Sequence, residues 1–225
     1  MHSLTRKLRT LLVLGTAVFF SNLLLLDARA DESYYMIVYG AQRTPNVPRF
    51  THTFATFVKA TGEGNDKTGY KVEEHTISWI AKTKEIVVAR ARPEPGVNLS
   101  LKESLVLAAA LEEKVSMWGP FEIKKELYER ALKQIDRLES NKIEYKAIDV
   151  RFRPERASNC IHAVSDIDAD DGLVDVGTAC GDEASRAVAS HLRRWMFDPE
   201  KTHDWVSGLI GLDDKTVTRR TWESK

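Results

Sequence analysis

The chain has 225 residues, of which 43% are hydrophobic, so it is long enough to form a domain with a buried core. Its 33 basic and 33 acidic residues give no formal net charge, which argues against a nucleic-acid-binding protein because such a protein needs a basic face. The sequence contains no Cys-x-x-Cys pair, and therefore lacks the usual motif of redox or zinc chemistry.

The first thirty residues have the three parts of a secretory signal peptide. Basic residues at positions 6, 7 and 9 precede the apolar run Leu11–Leu26, and Ala28-Arg29-Ala30 is a small-x-small cleavage site. The run has 16 residues, fewer than the about 20 that span a bilayer, so cleavage is favoured over an uncleaved anchor. We expect residues 1–30 to be removed, leaving residues 31–225 as a single secreted or periplasmic domain with no membrane span.

The first half of the expected domain is typical of consecutive strands. Aromatic and β-branched residues dominate Ser33–Gly40, and polar and apolar residues alternate along Thr51–Ala60. Two further strands are predicted at Tyr70–Ile80 and Glu85–Ala91, the second ending at the prolines that follow. Strands joined by short turns favour an antiparallel meander.

Helical patterns dominate the second half. Ser100 and Glu103 predict a capping box at the start of a helix, and Pro120 is predicted to lie in the first turn of the next one. Ser158 or Asn159 can cap a third helix. Later elements are predicted as helices at Glu183–Met196 and Trp205–Leu212 and a strand at Thr216–Thr221. The sequence therefore predicts an α+β fold, a small antiparallel sheet with helices packed on one side.

A histidine within a strand and a cysteine at a helix start are the residues best suited to chemistry. His52 lies in the second predicted strand, and Cys160 lies in the first turn of the third helix. A thiol attacks as thiolate, and the N–H groups at a helix start together with a nearby imidazolium favour that anion. The same N–H groups can stabilise an oxyanion. This pair suits acyl transfer, with Cys160 as nucleophile and His52 as base.

A third polar group should orient the histidine of such a pair. His75 and Glu74 on the neighbouring strand fit by position, but they point to opposite faces, so only one of them can reach His52. Gln42, near the end of the first strand, could supply an amide donor to an oxyanion.

The order of these elements resembles the circularly permuted papain-like superfamily of NlpC-like cysteine hydrolases. The matching segments are THTFATFVKA, LYERALKQIDRLESNKIEYKAID and SNCIHAVSDI, within about residues 34–168, and residues 169–225 would be a C-terminal helical extension. The resemblance implies a papain-like topology and thiol hydrolysis or acyl transfer on an amide or ester, such as a cell-envelope peptide or lipid. It carries over Cys160 as nucleophile, His52 as base and His75 or Glu74 as orienting residue. No cofactor is implied, and a histidine at position 162 is not part of the pattern.

Alternative interpretations of the same residues give a non-catalytic protein. A disulfide between Cys160 and Cys180 would close a loop of about 20 residues and stabilise the fold by about 3 kcal/mol. Cys160 could also be a buried inert thiol, and His52 a hydrogen-bonded strand histidine. The chain would then be an envelope binding or structural domain. The acidic turn Asp168–Leu173 lacks the spacing of calcium ligands, so no metal is predicted.

Overall fold

Strands and helices follow one another along the part of the chain that the structure describes. The computed structural model describes residues 31–64, 66–153, 155–171, 174, 180–213 and 215–224, so the predicted signal peptide lies outside it. The strands are β1 (Asp31–Gln42), β2 (Thr51–Gly62), β3 (Lys71–Ile77), β4 (Trp79–Ala81), β5 (Glu94–Asn98), β6 (Lys114–Ile123), β7 (Glu144–Tyr145), β8 (Ala157–Ser158) and β9 (Val217–Arg220). The helices are α1 (Leu101–Ala110), α2 (Lys125–Glu139), α3 (Cys160–Ser165), α4 (Gly181–His191) and α5 (Asp204–Leu209).

A five-stranded sheet in the order β3-β2-β1-β6-β9 forms the centre of the fold. β2 pairs with β3 and β1 pairs with β6 in antiparallel fashion, whereas β9 runs parallel to β6. A second sheet has the order β4-β5-β7-β8 and combines antiparallel and parallel pairs. The α+β class is therefore confirmed, but the sheets are mixed where the sequence predicted a purely antiparallel one.

Helices cover both faces of the central sheet. Met36 and Ala55 belong to one core cluster, together with side chains of α2, α3 and α4. Tyr39 and Phe54 belong to another, together with side chains of α1. The prediction of helices on one side only was wrong, and the reason is visible in β1, whose residues from 34 to 41 are all buried. A strand without apolar-polar alternation is typical of a sheet that is covered on both faces.

Two predicted boundaries are displaced in the structure. Glu85–Ala91 does not form a strand, and Val87 and Val88 within it are each 40% exposed. β5 forms instead just beyond it, beginning at Glu94. Pro120 does not begin a helix but lies inside β6, next to an irregularity in the pairing of β6 with β1. Proline is tolerated in strands at such irregular positions.

The helix starts follow their capping residues. The side chain of Ser100 accepts a hydrogen bond from the Glu103 N–H, and the Glu103 carboxylate accepts one from the Ser100 N–H, so the predicted capping box at α1 is confirmed. Asn159 is the N-cap of α3, and its side chain accepts from the His162 N–H. None of the helices that the structure describes combines the length and the hydropathy of a membrane-spanning segment.

Candidate functional site

Cys160 is the first residue of α3, beside a narrow cleft between α3, α4 and the start of β2. The cleft has a volume of about 30 Å³. Its lining is formed by Thr51, His52, Thr53, Cys160, Ile161, Cys180, Gly181 and Ala184. The fold thus brings together the two segments that the sequence analysis singled out, THTFATFVKA and SNCIHAVSDI.

Two opposing influences act on the Cys160 thiol. Burial raises its pKa, and the backbone N–H groups of Thr53, Cys160 and Ile161 partly offset this by favouring the thiolate. The nearby Asp149 carboxylate acts in the same direction as burial. Burial dominates, and the pKa of Cys160 rises to about 11. With that pKa, the sulfur is mostly a protonated thiol at neutral pH.

The imidazole of His52 is held in a polar network on the α1 side of the sheet. Its Nε2 lies 2.8 Å from the Ser78 Oγ, which accepts a hydrogen bond from the Ser104 hydroxyl of α1 at 2.7 Å. The ring also stacks on Phe54 at a centroid distance of 5.4 Å. Burial lowers the pKa of His52 to about 4, so the ring is neutral at physiological pH.

His52 and Cys160 line the same cleft but are not hydrogen-bonded to each other, and strand alternation gives the reason. Phe54 packs with α1, and Ala55 packs with α3, so alternate residues of β2 face opposite sides of the sheet. The ring of His52 shares the face of Phe54, whereas Thr53 shares the face of Ala55 and directs its backbone N–H to the Cys160 sulfur. His52 Nδ1 has no hydrogen-bond partner among the described residues, so no hydrogen bond joins it to Cys160.

Neither predicted orienting residue contacts His52. His75 lies opposite Phe57 in the β2–β3 pairing, and its Nε2 is 2.9 Å from the Glu73 carboxylate. Glu74 lies opposite Val58, and burial raises the pKa of its carboxyl. Ser78, just beyond β3, occupies the place that His75 or Glu74 was expected to take.

A buried carboxylate next to the cysteine was missed by the sequence analysis. Asp149 is 0% exposed and accepts hydrogen bonds from the Asn159 backbone N–H at 2.9 Å and from His162 Nδ1 at 2.7 Å. His162 Nε2 lies 3.1 Å from the Val174 carbonyl oxygen, so both ring nitrogens have partners. Asp149 therefore fixes the start of α3, on which Cys160 lies. It sits in an irregular connector, where no periodic pattern marks a buried residue.

The second cysteine lies at the start of α4. The Cys180 thiol donates to Gln42 Oε1 at 2.9 Å, and the same oxygen accepts from the Asp182 N–H at 2.9 Å. Gln42 thus presents its carbonyl oxygen to α4 rather than an amide donor to the cleft. Cys160 and Cys180 both line the cleft, and they are not joined by a disulfide. No group of three or more potential metal ligands occurs among the described residues.

Comparison of the chain with protein-family models, with curated proteins and with solved structures gave no match.

Proposed function

We propose that this chain is an exported, non-catalytic binding domain of the cell envelope, built on an α+β fold that resembles that of the permuted papain-like hydrolases. One observation carries the proposal: the Thr53 backbone N–H approaches the Cys160 sulfur from β2, and no hydrogen bond joins that sulfur to a ring nitrogen of His52. His52 Nε2 is engaged with Ser78, so within the described residues the thiol has no hydrogen-bonded base to accept its proton.

The protonation states of the two residues support the same function. With a pKa of about 11, the Cys160 thiol is ionised to roughly one part in ten thousand at pH 7. His52 is neutral and already bonded to Ser78. Cys160 therefore behaves as a small, half-buried side chain, and His52 as part of the contact between the sheet and α1.

A thiol hydrolase or acyl-transferase is the second candidate function, because three backbone N–H groups face the Cys160 sulfur. In that mechanism Cys160 would attack the carbonyl carbon of an amide or ester in an envelope peptide or lipid. His52 would have to accept the thiol proton on Nδ1, which has no hydrogen-bond partner among the described residues, and return it to the leaving group, while Nε2 stays bonded to Ser78.

Alkylation of Cys160 separates the two candidates. The Cys180→Ser variant, which retains one thiol, is treated with iodoacetamide at pH 8 in buffer and in urea, and the modified fraction is followed by mass spectrometry. Lowering the thiolate fraction from that of a free cysteine, with a pKa of about 8.5, to that of a thiol at about 11 slows alkylation about 200-fold. We therefore expect the native chain to react at least about 100-fold more slowly than the unfolded one.

The opposite result would overturn the non-catalytic function and favour the hydrolase. Native alkylation as fast as that of the unfolded chain, and slowed by His52→Ala, would show an activated thiolate. Intact mass measured with and without reductant on the wild-type chain adds a separate test of the cysteines. A difference of two hydrogens would identify a Cys160–Cys180 disulfide, and with it the structural role that the sequence analysis considered.

A further inference from the structure

A cavity lies at the second sheet and shares no lining residue with the Cys160 cleft. Its volume is about 520 Å³, which lies in the usual range for ligand sites. It is bordered by β4, β5, the end of α2 and the segment leading into β7. The residues on which the argument rests are Trp79, Gly96, Asn98, Leu138 and Ile143, and all five line the cavity.

The pairing of β5 leaves one of its edges open toward this cavity. Lys82 N–H donates to the Pro95 carbonyl and Leu99 N–H to the Ser78 carbonyl, which fixes the hydrogen-bonded positions between β4 and β5. Because such positions alternate in an antiparallel pair, the carbonyl of Gly96 and the backbone N–H and C=O of Asn98 point away from β4.

On that other side, β7 pairs with β5 only at Glu94 and Pro95. Beyond this point the segment that contains Asn141 and Ile143 diverges from β5, and the cavity lies between the two. Beside Gly96 and Asn98 the sheet therefore contains a slot, in which β5 has backbone hydrogen-bonding groups but no neighbouring strand.

A buried donor also lacks a partner at this slot. The indole of Trp79 is 2% exposed, and its Nε1 has no hydrogen-bond partner among the described residues. A buried N–H without a partner is costly, so it marks a position where a ligand oxygen would be favourable. Leu138 and Ile143 supply an apolar surface beside it.

We propose that this slot binds an extended peptide by strand addition, with backbone hydrogen bonds to Gly96 and Asn98 and an apolar side chain packed against Leu138 and Ile143. At about 3.3 Å per residue, the open edge from Gly96 to Asn98 accommodates about three peptide residues. A carbohydrate is disfavoured because the Trp79 ring offers no open face. A Cβ on Gly96 would lie 2.1 Å from that ring, so the backbone of β5 covers it.

The inference deepens the proposed function, since it names the ligand class of a binding domain. The slot and the Cys160 cleft share no lining residue. If Cys160 is unreactive and the chain binds no peptide, only this inference is overturned. If Cys160 is alkylated rapidly and the chain still binds peptide, only the non-catalytic function is overturned.

The test uses the whole exported domain and a blocked, fluorescently labelled pentapeptide of alternating valine and threonine, with binding followed by anisotropy. Two derivatives carry N-methyl groups on alternate amides. Because alternate amides of a strand point to opposite sides, we expect one derivative to bind at least tenfold more weakly and the other to bind like the parent. Equal binding of both derivatives, or no saturable binding below about 1 mM, would overturn the proposal.

A protein variant tests the contribution of the indole N–H. Trp79→Phe keeps an aromatic ring but removes the donor, and we expect three- to tenfold weaker peptide binding. Trp205→Phe is the matched control, since Trp205 packs on Tyr35 in a different cluster, and it should leave binding unchanged. Unchanged binding by a folded Trp79→Phe chain, or displacement of the peptide by a neutral trisaccharide, would contradict the proposal. If the Trp79→Phe chain does not fold, the binding of the two N-methylated peptides to the wild-type chain still tests the proposal.

Discussion

Replacing Asp149 by asparagine removes the group that holds the start of α3 in place. The carboxylate is fully buried, and it accepts hydrogen bonds from the Asn159 backbone N–H, from the Asn159 side-chain amide at 3.3 Å and from His162 Nδ1. Asparagine has nearly the same shape, but an NH₂ group replaces one of the carboxylate oxygens. This NH₂ group is a hydrogen-bond donor, and it would face the donors of Asn159 and His162. A hydrogen bond to a buried charged group contributes about 1.5–3 kcal/mol.

We expect Asp149→Asn to lower the free energy of unfolding by about 3 kcal/mol, because more than one such bond is weakened. For a domain of this size, that loss lowers Tm by about 6–12 °C. Urea denaturation followed by circular dichroism measures the first quantity, and calorimetry the second. Asp136→Asn, at an exposed position on α2, is the control and should change stability by less than about 0.5 kcal/mol.

The same variant changes the cysteine next to it. Asp149 contributes to the raised pKa of Cys160, so loss of its charge, together with a loosened helix start, should increase native alkylation of Cys160 several-fold. A stability loss below about 1 kcal/mol, or one equal to that of Asp136→Asn, would show that the hydrogen bonds around Asp149 do not hold α3 as argued.

Three further substitutions test other parts of the structure. Thr53→His places an imidazole at a residue that lines the Cys160 cleft, and should raise the native alkylation rate of Cys160 at least tenfold near pH 7, as followed by mass spectrometry. No change would mean that position 53 does not face the thiol. Gly40→Ala should cost about 2–3 kcal/mol in urea denaturation, because a Cβ there would lie 2.1 Å from a backbone oxygen of α4, whereas Gly69→Ala has open space and should cost far less. Burial raises the pKa of Glu113 to about 7 from its ordinary 4.5, so the wild-type chain loses stability as pH rises from about 4.5 to 7. Glu113→Gln should remove this loss and stabilise the chain at pH 8 by about 1 kcal/mol after allowance for solvent screening, and equal stability-pH curves for the two chains would contradict the assignment.

Local signals in the sequence identified the elements that depend on local chemistry. The capping box of Ser100 and Glu103 marks the start of α1 correctly because its two hydrogen bonds lie within one turn. The continuous apolar run in β1 was recognised as a buried strand. A strand that is apolar at consecutive positions is also typical of a sheet covered on both faces, so the prediction of helices on one side only was inconsistent with β1.

Errors arose where tertiary pairing overrides local preference. The β-branched residues around Val87 favour a strand, yet they pair with no strand among the residues that the structure describes. The chain pairs at β5 instead, although β5 contains Pro95. Likewise, Gly119 and Pro120 suggested a helix start because the long partner strand β1 is not visible from local sequence. Asp149 gave no signal at all, because its partners Asn159 and His162 lie ten or more residues away.

The candidate site depends on which face of β2 each side chain occupies, and composition and spacing in the sequence do not reveal this. Side chains along β2 alternate between the α1 face and the α3 face, so a shift of one residue moves a side chain across the whole sheet. His52 Nε2 lies beside the Ser78 hydroxyl on the α1 face, whereas the backbone N–H of Thr53 is directed at the Cys160 sulfur. A helix-start cysteine and a strand histidine in the sequence therefore do not by themselves place the thiol and the imidazole within hydrogen-bond distance.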